Sequence, residues 1–234
     1  MPEAQAVNRF FSSIANRYDL ANRVMSGGMD ILWRRRLARM VASEGPHDIL
    51  DLATGSGDVA FTLARHVPTA KTIQGMDFCV PMLDEARSKL EKTGIHHVQI
   101  SFEQADCHQL PLPDASVDAI TIAFGLRNLE DRAQGLREMA RVLRPGGCLF
   151  VLEFTQPYKW MRPFYYFYLS KIIPVVSGWI TGDREAYRYL SDSVSAFPDR
   201  NQLSTEIRNA GFSTVSATPL TASIVAIHRA QLSS

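Results

Sequence analysis

Apolar positions in the first 45 residues recur at helical spacing. In NRFFSSIANRYDLANRVM they fall at Phe10, Phe11, Ile14 and Tyr18, and in MDILWRRRLARMVAS at Ile31, Leu32, Leu37 and Met40, which predicts two helices. Gly27-Gly28 separates them and Gly45-Pro46 ends the second. From Asp48 the period changes. DILDLA reads as a short strand, GDVAFTLARHV as a helix, TIQGMD as a strand, and CVPMLDEARSKLEKTG as a helix ending at Gly94. VQISFEQAD and VDAITIAFG read as strands, DRAQGLREMARVL as a helix, Pro145-Gly146-Gly147 as a turn, and CLFVLEF as a fifth strand. Strands alternating with helices of this length predict right-handed βαβ units and a parallel sheet covered on both faces. After Thr155 the rhythm gives way to an aromatic-rich insertion running to about Ser195. RNQLSTEIRNAGF then restores a helix, and STVSATPL and ASIVAIH supply two closing strands.

The chain of 234 residues is therefore expected to form one α/β domain. A helical cap occupies 1–45, a core 46–154, the insertion 155–197, and a closing helix and strands 198–234. A formal net charge of +1 argues against a general nucleic-acid binder. Cys79, Cys107 and Cys148 are far apart with no CxxC pair, which suits a reducing cytoplasm and neither a disulfide framework nor a zinc site. The six histidines form no metal-ligand pattern; most read as surface or loop residues, and His108 as a turn residue. The N-terminus lacks a signal-peptide layout. The apolar run from Phe164 to Ile180 is interrupted by Lys171 and Pro174 and is too short to span a bilayer.

The first strand runs into LDLATGSGDVA, where Gly55, Gly57 and Ala60 make a GxGxxA turn of the kind that brings backbone close to a ligand. Asp77 ends the second strand twenty residues beyond Gly57, placed to accept ribose hydroxyls. Both features also fit a nicotinamide dinucleotide fold and an oxidoreductase. Three details favour another ligand. Asp51 sits in the strand entering the loop, where a pyrophosphate would be repelled and an ammonium attracted. No Lys or Arg lies between Asp51 and Ala64. Asp106 closes the third strand, where it could accept an adenine amine. A single aspartate here would read as a helix or turn cap; three at successive strand ends suit a cationic, phosphate-free ligand, S-adenosylmethionine.

With the RVLRPGG turn, these features resemble class I S-adenosylmethionine-dependent methyltransferases. The resemblance implies a Rossmann-like seven-stranded sheet of order 3-2-1-4-5-7-6 with strand 7 antiparallel. YDLANRVMSGGMDILW, FGLRN, RVLRPGGCLFVLEFT and LTASIVAIH further resemble the ubiquinone/menaquinone biosynthesis C-methyltransferase family. Departures include Ala21 for the usual Met, Asp30 for the common His, Arg144 and Thr155 for Lys and Ser, and Thr221-Ala222-Ser223 for Thr-Gly-Gly. The resemblance implies a cofactor site of Asp51, Gly55, Ser56, Gly57, Asp77, Phe78, Asp106, Cys107 and Ala123. It also implies methyl transfer to a ring carbon of a polyprenylated quinol, demethylmenaquinol first, with a benzoquinol or dual specificity as the alternative. No metal is required.

A phenol ionises near pKa ~10, so such a site must stabilise a phenolate. Arg127 would meet a like charge beside a sulfonium, which turns it toward the quinol oxygen. Asn128 would hold that oxygen or orient Arg127, and Tyr18 would orient the hydroxyl or relay its proton. The structural alternative pairs Arg127 with Glu130, Asp131 or Glu153. The aromatic insertion suits a lid over the acceptor's tail or a surface touching a bilayer at the inner face of the cytoplasmic membrane. Arg34, Arg35 and Arg36 would either meet anionic headgroups or form a solvated helix face. A homodimer, an assembly with other quinone-biosynthesis proteins, and a non-catalytic lipid-binding module stay open.

Overall fold

The computed structural model describes residues 18–172, 193–194 and 196–233. Phe10, Phe11 and Ile14, the insertion from 173 to 192 and the side chain of Tyr18 lie outside them. Seven strands form one sheet of order β3-β2-β1-β4-β5-β7-β6. They are β1 (Asp48–Leu52), β2 (Thr72–Asp77), β3 (Gln99–Gln104), β4 (Val117–Ala123), β5 (Leu143–Phe154), β6 (Thr214–Leu220) and β7 (Val225–Gln231). The pairs among β1 to β5 are parallel, and β7 runs antiparallel to both β5 and β6. The expected order and the reversed strand are both present.

Alternation within the strands builds two cores. Ile49, Ile73, Phe150 and Ile227 face helices α2 (Met29–Ala42), α3 (Asp58–His66) and α4 (Val80–Lys92). Leu50, Leu52, Ile120, Ile122 and Val151 face α5 (Arg132–Val142) and α7 (Arg200–Asn209). Each fully buried aliphatic side chain contributes about 1.5–3 kcal/mol, so register is fixed from both faces. The helix starts are read locally: Asp131 caps α5 through the Gln134 N–H, and Asp199 with Gln202 forms a capping box on α7.

Three expectations change. α2 buries Trp33, Leu37, Ala38 and Val41, while Leu32 is exposed; the stripe is rotated onto the sheet core, where Trp33 also donates its Nε1–H to Thr221 Oγ1 at 2.8 Å. β5 begins at Leu143, before the Pro-Gly-Gly turn, and resumes pairing at Cys148 after a register shift. β3 ends at Gln104, so Asp106 lies beyond it in a turn bridged to Gln109.

Candidate active site

Strand ends β1, β2 and β4 meet at one rim of the sheet. Gly55 and Gly57 adopt left-handed φ of 56° and 82°. A Cβ on Gly57 would lie 2.9 Å from both Phe61 and Phe102, so only glycine fits this bend. Asp77 draws the loop onto β2 by accepting the N–H of Gly55 at 2.8 Å and that of Cys79 at 2.9 Å. Burial raises its carboxyl, and those two N–H groups oppose the shift. Asp51 is only 1 % exposed, its oxygens accepting from Thr121 and Thr54 hydroxyls at 2.6 Å each. Burial pushes it from 3.8 up to about 6; the two hydroxyls hold it down and the Asp77 charge adds to the rise. Asp51 thus acts on the rim through its charge and through Thr54, not as an open acceptor.

The other expected cofactor residues divide. The buried Ser56 donates to Asp19 Oδ1 at 2.6 Å, tying the loop to α1 (Tyr18–Met25). Lys89 pairs with the same Asp19 and with Asp58. The Cys107 thiol lies against the Ala53 backbone and is pushed up to about 12 by burial and the charges of Asp77 and Asp106, which keeps it protonated. Phe78 is exposed at the rim, and Ala123 is half-buried at the end of β4. Asp106 turns its carboxylate to His108, accepting from its backbone N–H at 2.9 Å and meeting Nδ1 at 2.7 Å. His108 Nε2 accepts the N–H of Asp131, which assigns the remaining ring proton to Nδ1. His108 is therefore a turn residue, as expected. His228 is not at the surface: it is buried in β7 with Nε2 3.0 Å from the Arg200 carbonyl.

The β4 exit carries the second half of the site. Phe124 has a left-handed φ of 57°, and its ring packs on Phe154 at 4.9 Å and Trp33 at 6.0 Å. Gly125 follows because a Cβ there would stand 2.4 Å from the Ala53 Cβ. The acceptor-side turn and the glycine loop are thus in contact. A 3-10 turn, Leu126–Asn128, then swings Arg127 back over β5. Arg127 is buried against Glu153, with Nη1 3.0 and 3.2 Å from the two carboxylate oxygens. It also donates to the Phe124 carbonyl and lies 5.4 Å from the Phe154 ring centroid. Burial raises Glu153, and Arg127 opposes that rise. Asn128 closes the turn through its N–H to the Gly125 carbonyl.

Arg127 lines a cavity of about 440 Å³. Met25, Asp30 and Trp33 form one side, Phe124 and Phe154 the floor, and Phe164, Tyr165, Tyr168 and Leu169 from the segment after β5 the cover. The cover comprises α6 (Arg162–Phe167) and a π-helical turn, Tyr168–Ile172. Tyr168 donates to the Met25 carbonyl at 2.6 Å, joining cover to α1. Asp30 is 4 % exposed, accepting from Ser26 Oγ at 2.8 Å and pairing with Arg34. Arg34 therefore turns inward, while Arg35 and Arg36 face solvent.

An apolar cavity holding Arg127 and a glycine loop at the strand ends agree with what the comparisons find. The model of the ubiE/COQ5 methyltransferase family matches residues 1–231. The chain belongs to that family. It is accordingly an S-adenosylmethionine-dependent C-methyltransferase, which decides against the oxidoreductase reading. It is 46 % identical over 219 residues to the demethylmenaquinone methyltransferase of Thermus thermophilus, covering 93 % of this chain and 97 % of that one. It is 38 % identical over 227 residues to the ubiquinone/menaquinone biosynthesis C-methyltransferase UbiE of Geotalea daltonii, covering 97 % and 96 %. Among solved structures, the [4+2]-cyclase SpnF matches with a TM-score of 0.70 at 19 % identity, over 99 % of this chain and 97 % of that one. This last likeness concerns the fold alone.

Sequence reasoning missed Asp19 and Tyr165 as members of the site. Asp19 stands beside Tyr18 in the family-like YDLAN stretch; Tyr165 is one of five near-equivalent aromatics in FYYFY, with nothing to single it out.

Proposed function

We propose that this methyltransferase acts on a polyprenylated naphthoquinol, demethylmenaquinol, and methylates a ring carbon. The observation that carries the reading is the close approach of Gly125 to Ala53: the turn whose Phe124 and Arg127 line the cavity packs on the residue that leads into the glycine loop. The names of the Thermus relative and of a 44 % identical Deinococcus radiodurans relative, both demethylmenaquinone methyltransferases, favour the naphthoquinol. The UbiE name of the Geotalea relative favours a second reading in which a benzoquinol is accepted as well.

The glycine loop fits the donor, because its left-handed glycines bring bare backbone to the rim and the sequence from Asp51 to Ala64 holds no Lys or Arg. Gly55, Ser56, Gly57 and Asp77 would hold it, with Phe78, Asp106, Cys107 and Ala123 around them and the Asp51 charge beneath. When bound, S-adenosylmethionine supplies an electrophilic methyl group. The chain's own residues prepare the acceptor. The apolar walls seat the ring and exclude water, and the Arg127 guanidinium stabilises the ring oxygen as it gives up its proton. Glu153 balances the buried cation and fixes its plane. Loss of the phenolic proton raises electron density at the ring carbon, which accepts the methyl group and then releases its C–H proton to restore aromaticity. Asn128 and Tyr18 take the supporting roles that the family resemblance gives those positions.

The described segment from Lys159 to Ile172 is a lid whose outer face contacts a bilayer. Trp160, Phe164 and Phe167 are 64, 70 and 58 % exposed, beside Lys159 and Arg162. Incubation of purified protein with labelled S-adenosylmethionine and each demethylated quinol tests the reaction. Label should enter the naphthoquinol; label in the benzoquinol alone would overturn the preference.

A further inference from the structure

We propose that Tyr165 is a catalytic residue: its hydroxyl and the Nε–H of Arg127 jointly receive one ring oxygen of the acceptor, so the lid supplies part of the oxygen's site. The inference rests on the quinol reading above and adds a residue and a task for the lid.

The lid's tyrosines differ in one respect. Tyr166 donates to Gln156 Oε1 at 2.8 Å and Tyr168 to the Met25 carbonyl at 2.6 Å. Tyr165 is 7 % exposed, lines the cavity, and its buried hydroxyl has no hydrogen-bond partner among the described residues. Arg127 shows the same asymmetry within one side chain. Nη1 is committed to Glu153 and the Phe124 carbonyl, whereas Nε is buried and without a partner among the described residues. Both residues line the same cavity, and the charges of Arg127 and Glu153 both act on the Tyr165 hydroxyl.

Buried polar atoms in native proteins are nearly all paired, and an exception calls for an explanation. Here two exceptions border one ligand-sized space, and both can donate. The pair suits an anionic or ionising oxygen on an otherwise apolar ring. Neither atom is open to water as the cavity stands, so a ring oxygen reaches them as the incoming ring shifts this packing, and it then meets no competing solvent donor. Burial also holds the Tyr165 proton in place, so this side chain donates and does not act as a base. Ring binding and lid closure are thereby linked, since the second donor travels with α6.

Tyr165→Phe removes the hydroxyl alone. The expected result is a fall in kcat for quinol methylation of about 10²-fold, the scale of losing one donor to a developing oxyanion. The rise of rate with pH should move to higher pH, because the phenolate forms less readily. S-adenosylhomocysteine affinity and the melting temperature should stay at wild-type values. Wild-type kcat with an unmoved pH profile in the variant would overturn the inference. If Tyr165→Phe fails to fold, 3-fluorotyrosine placed at position 165 carries the test: its more acidic hydroxyl should move the profile to lower pH, and an unmoved profile overturns the inference. A wild-type protein that methylates no quinol would instead defeat the functional reading itself.

Discussion

Arg127 is not a lone cation at a sheet edge. Its charge is matched by the fully buried Glu153, so the pair is an oriented dipole whose Nε–H has no partner among the described residues. Breaking such a pair would leave an uncompensated buried charge, which costs about 3–5 kcal/mol. Asp51 presents the opposite case, a buried carboxylate held by two hydroxyls and no cation. Its pKa rises from 3.8 to about 6 on folding, so between those values the native protein holds a proton that the unfolded chain has released. Its contribution therefore disfavours folding progressively as pH rises from about 4 to about 6 and is constant above. A cationic donor beside the loop reverses this preference, because it favours the ionised form. Titration calorimetry should show S-adenosylmethionine affinity falling as pH drops through about 6. Asp51→Asn should weaken binding at pH 7 by about 10-fold, near one charge interaction at the rim, and remove that pH dependence.

At the scale of elements, the turns show where local preference is overridden. Thr221, Ala222 and Ser223 all take positive φ, 45°, 52° and 66°, where the family usually has two glycines. The turn survives because its neighbours hold it: Thr221 accepts from Trp33, Ser223 donates to the Gln156 carbonyl, and the Ala222 carbonyl accepts the Tyr158 N–H. Ala222 itself makes no side-chain bond, and a left-handed alanine costs about 1–2 kcal/mol. Ala222→Gly should therefore stabilise the protein by about 0.5–1 kcal/mol once the freer unfolded chain is counted, read as a raised denaturation midpoint in urea. The strands, the glycine loop and the rim positions of Asp51 and Asp77 were legible because short apolar runs bounded by turn residues, and glycine geometry, are local. The rotated face of α2 was not, since it is set by packing on the sheet core, where Trp33 also meets Thr221, 188 residues away. The turn carrying Asp106 and the choice of Glu153 over Glu130 or Asp131 for the Arg127 ion pair also depend on contacts between elements. Tyr165 gains its meaning only from the partners that Tyr166 and Tyr168 have and it lacks.

For the molecule as a whole, the proposed acceptor, with its long apolar tail, raises the question of how the site reaches a bilayer. No helix among the described residues is long and apolar enough to cross a membrane. The cavity instead reaches the surface at Phe164, which both lines it and is 70 % exposed. Around that point the turn before α6 and α6 itself present Trp160 and Phe167 with Lys159 and Arg162, an arrangement suited to the apolar and anionic layers of a bilayer surface. Seating each of the two outer aromatics at an interface would contribute about 1 kcal/mol, below the full burial of a ring because one side stays in headgroups and water. Trp160→Ser with Phe167→Ser should then weaken binding to vesicles containing anionic phospholipid by about 10–30-fold in a sedimentation assay. The same double variant should methylate long-tailed quinol in vesicles more slowly and keep its rate on a short-tailed, water-soluble quinol, because neither residue is among those lining the cavity. Equal vesicle binding by variant and wild type would sink the idea. Equal loss on both quinols would place these aromatics in the site and not on its membrane-facing rim.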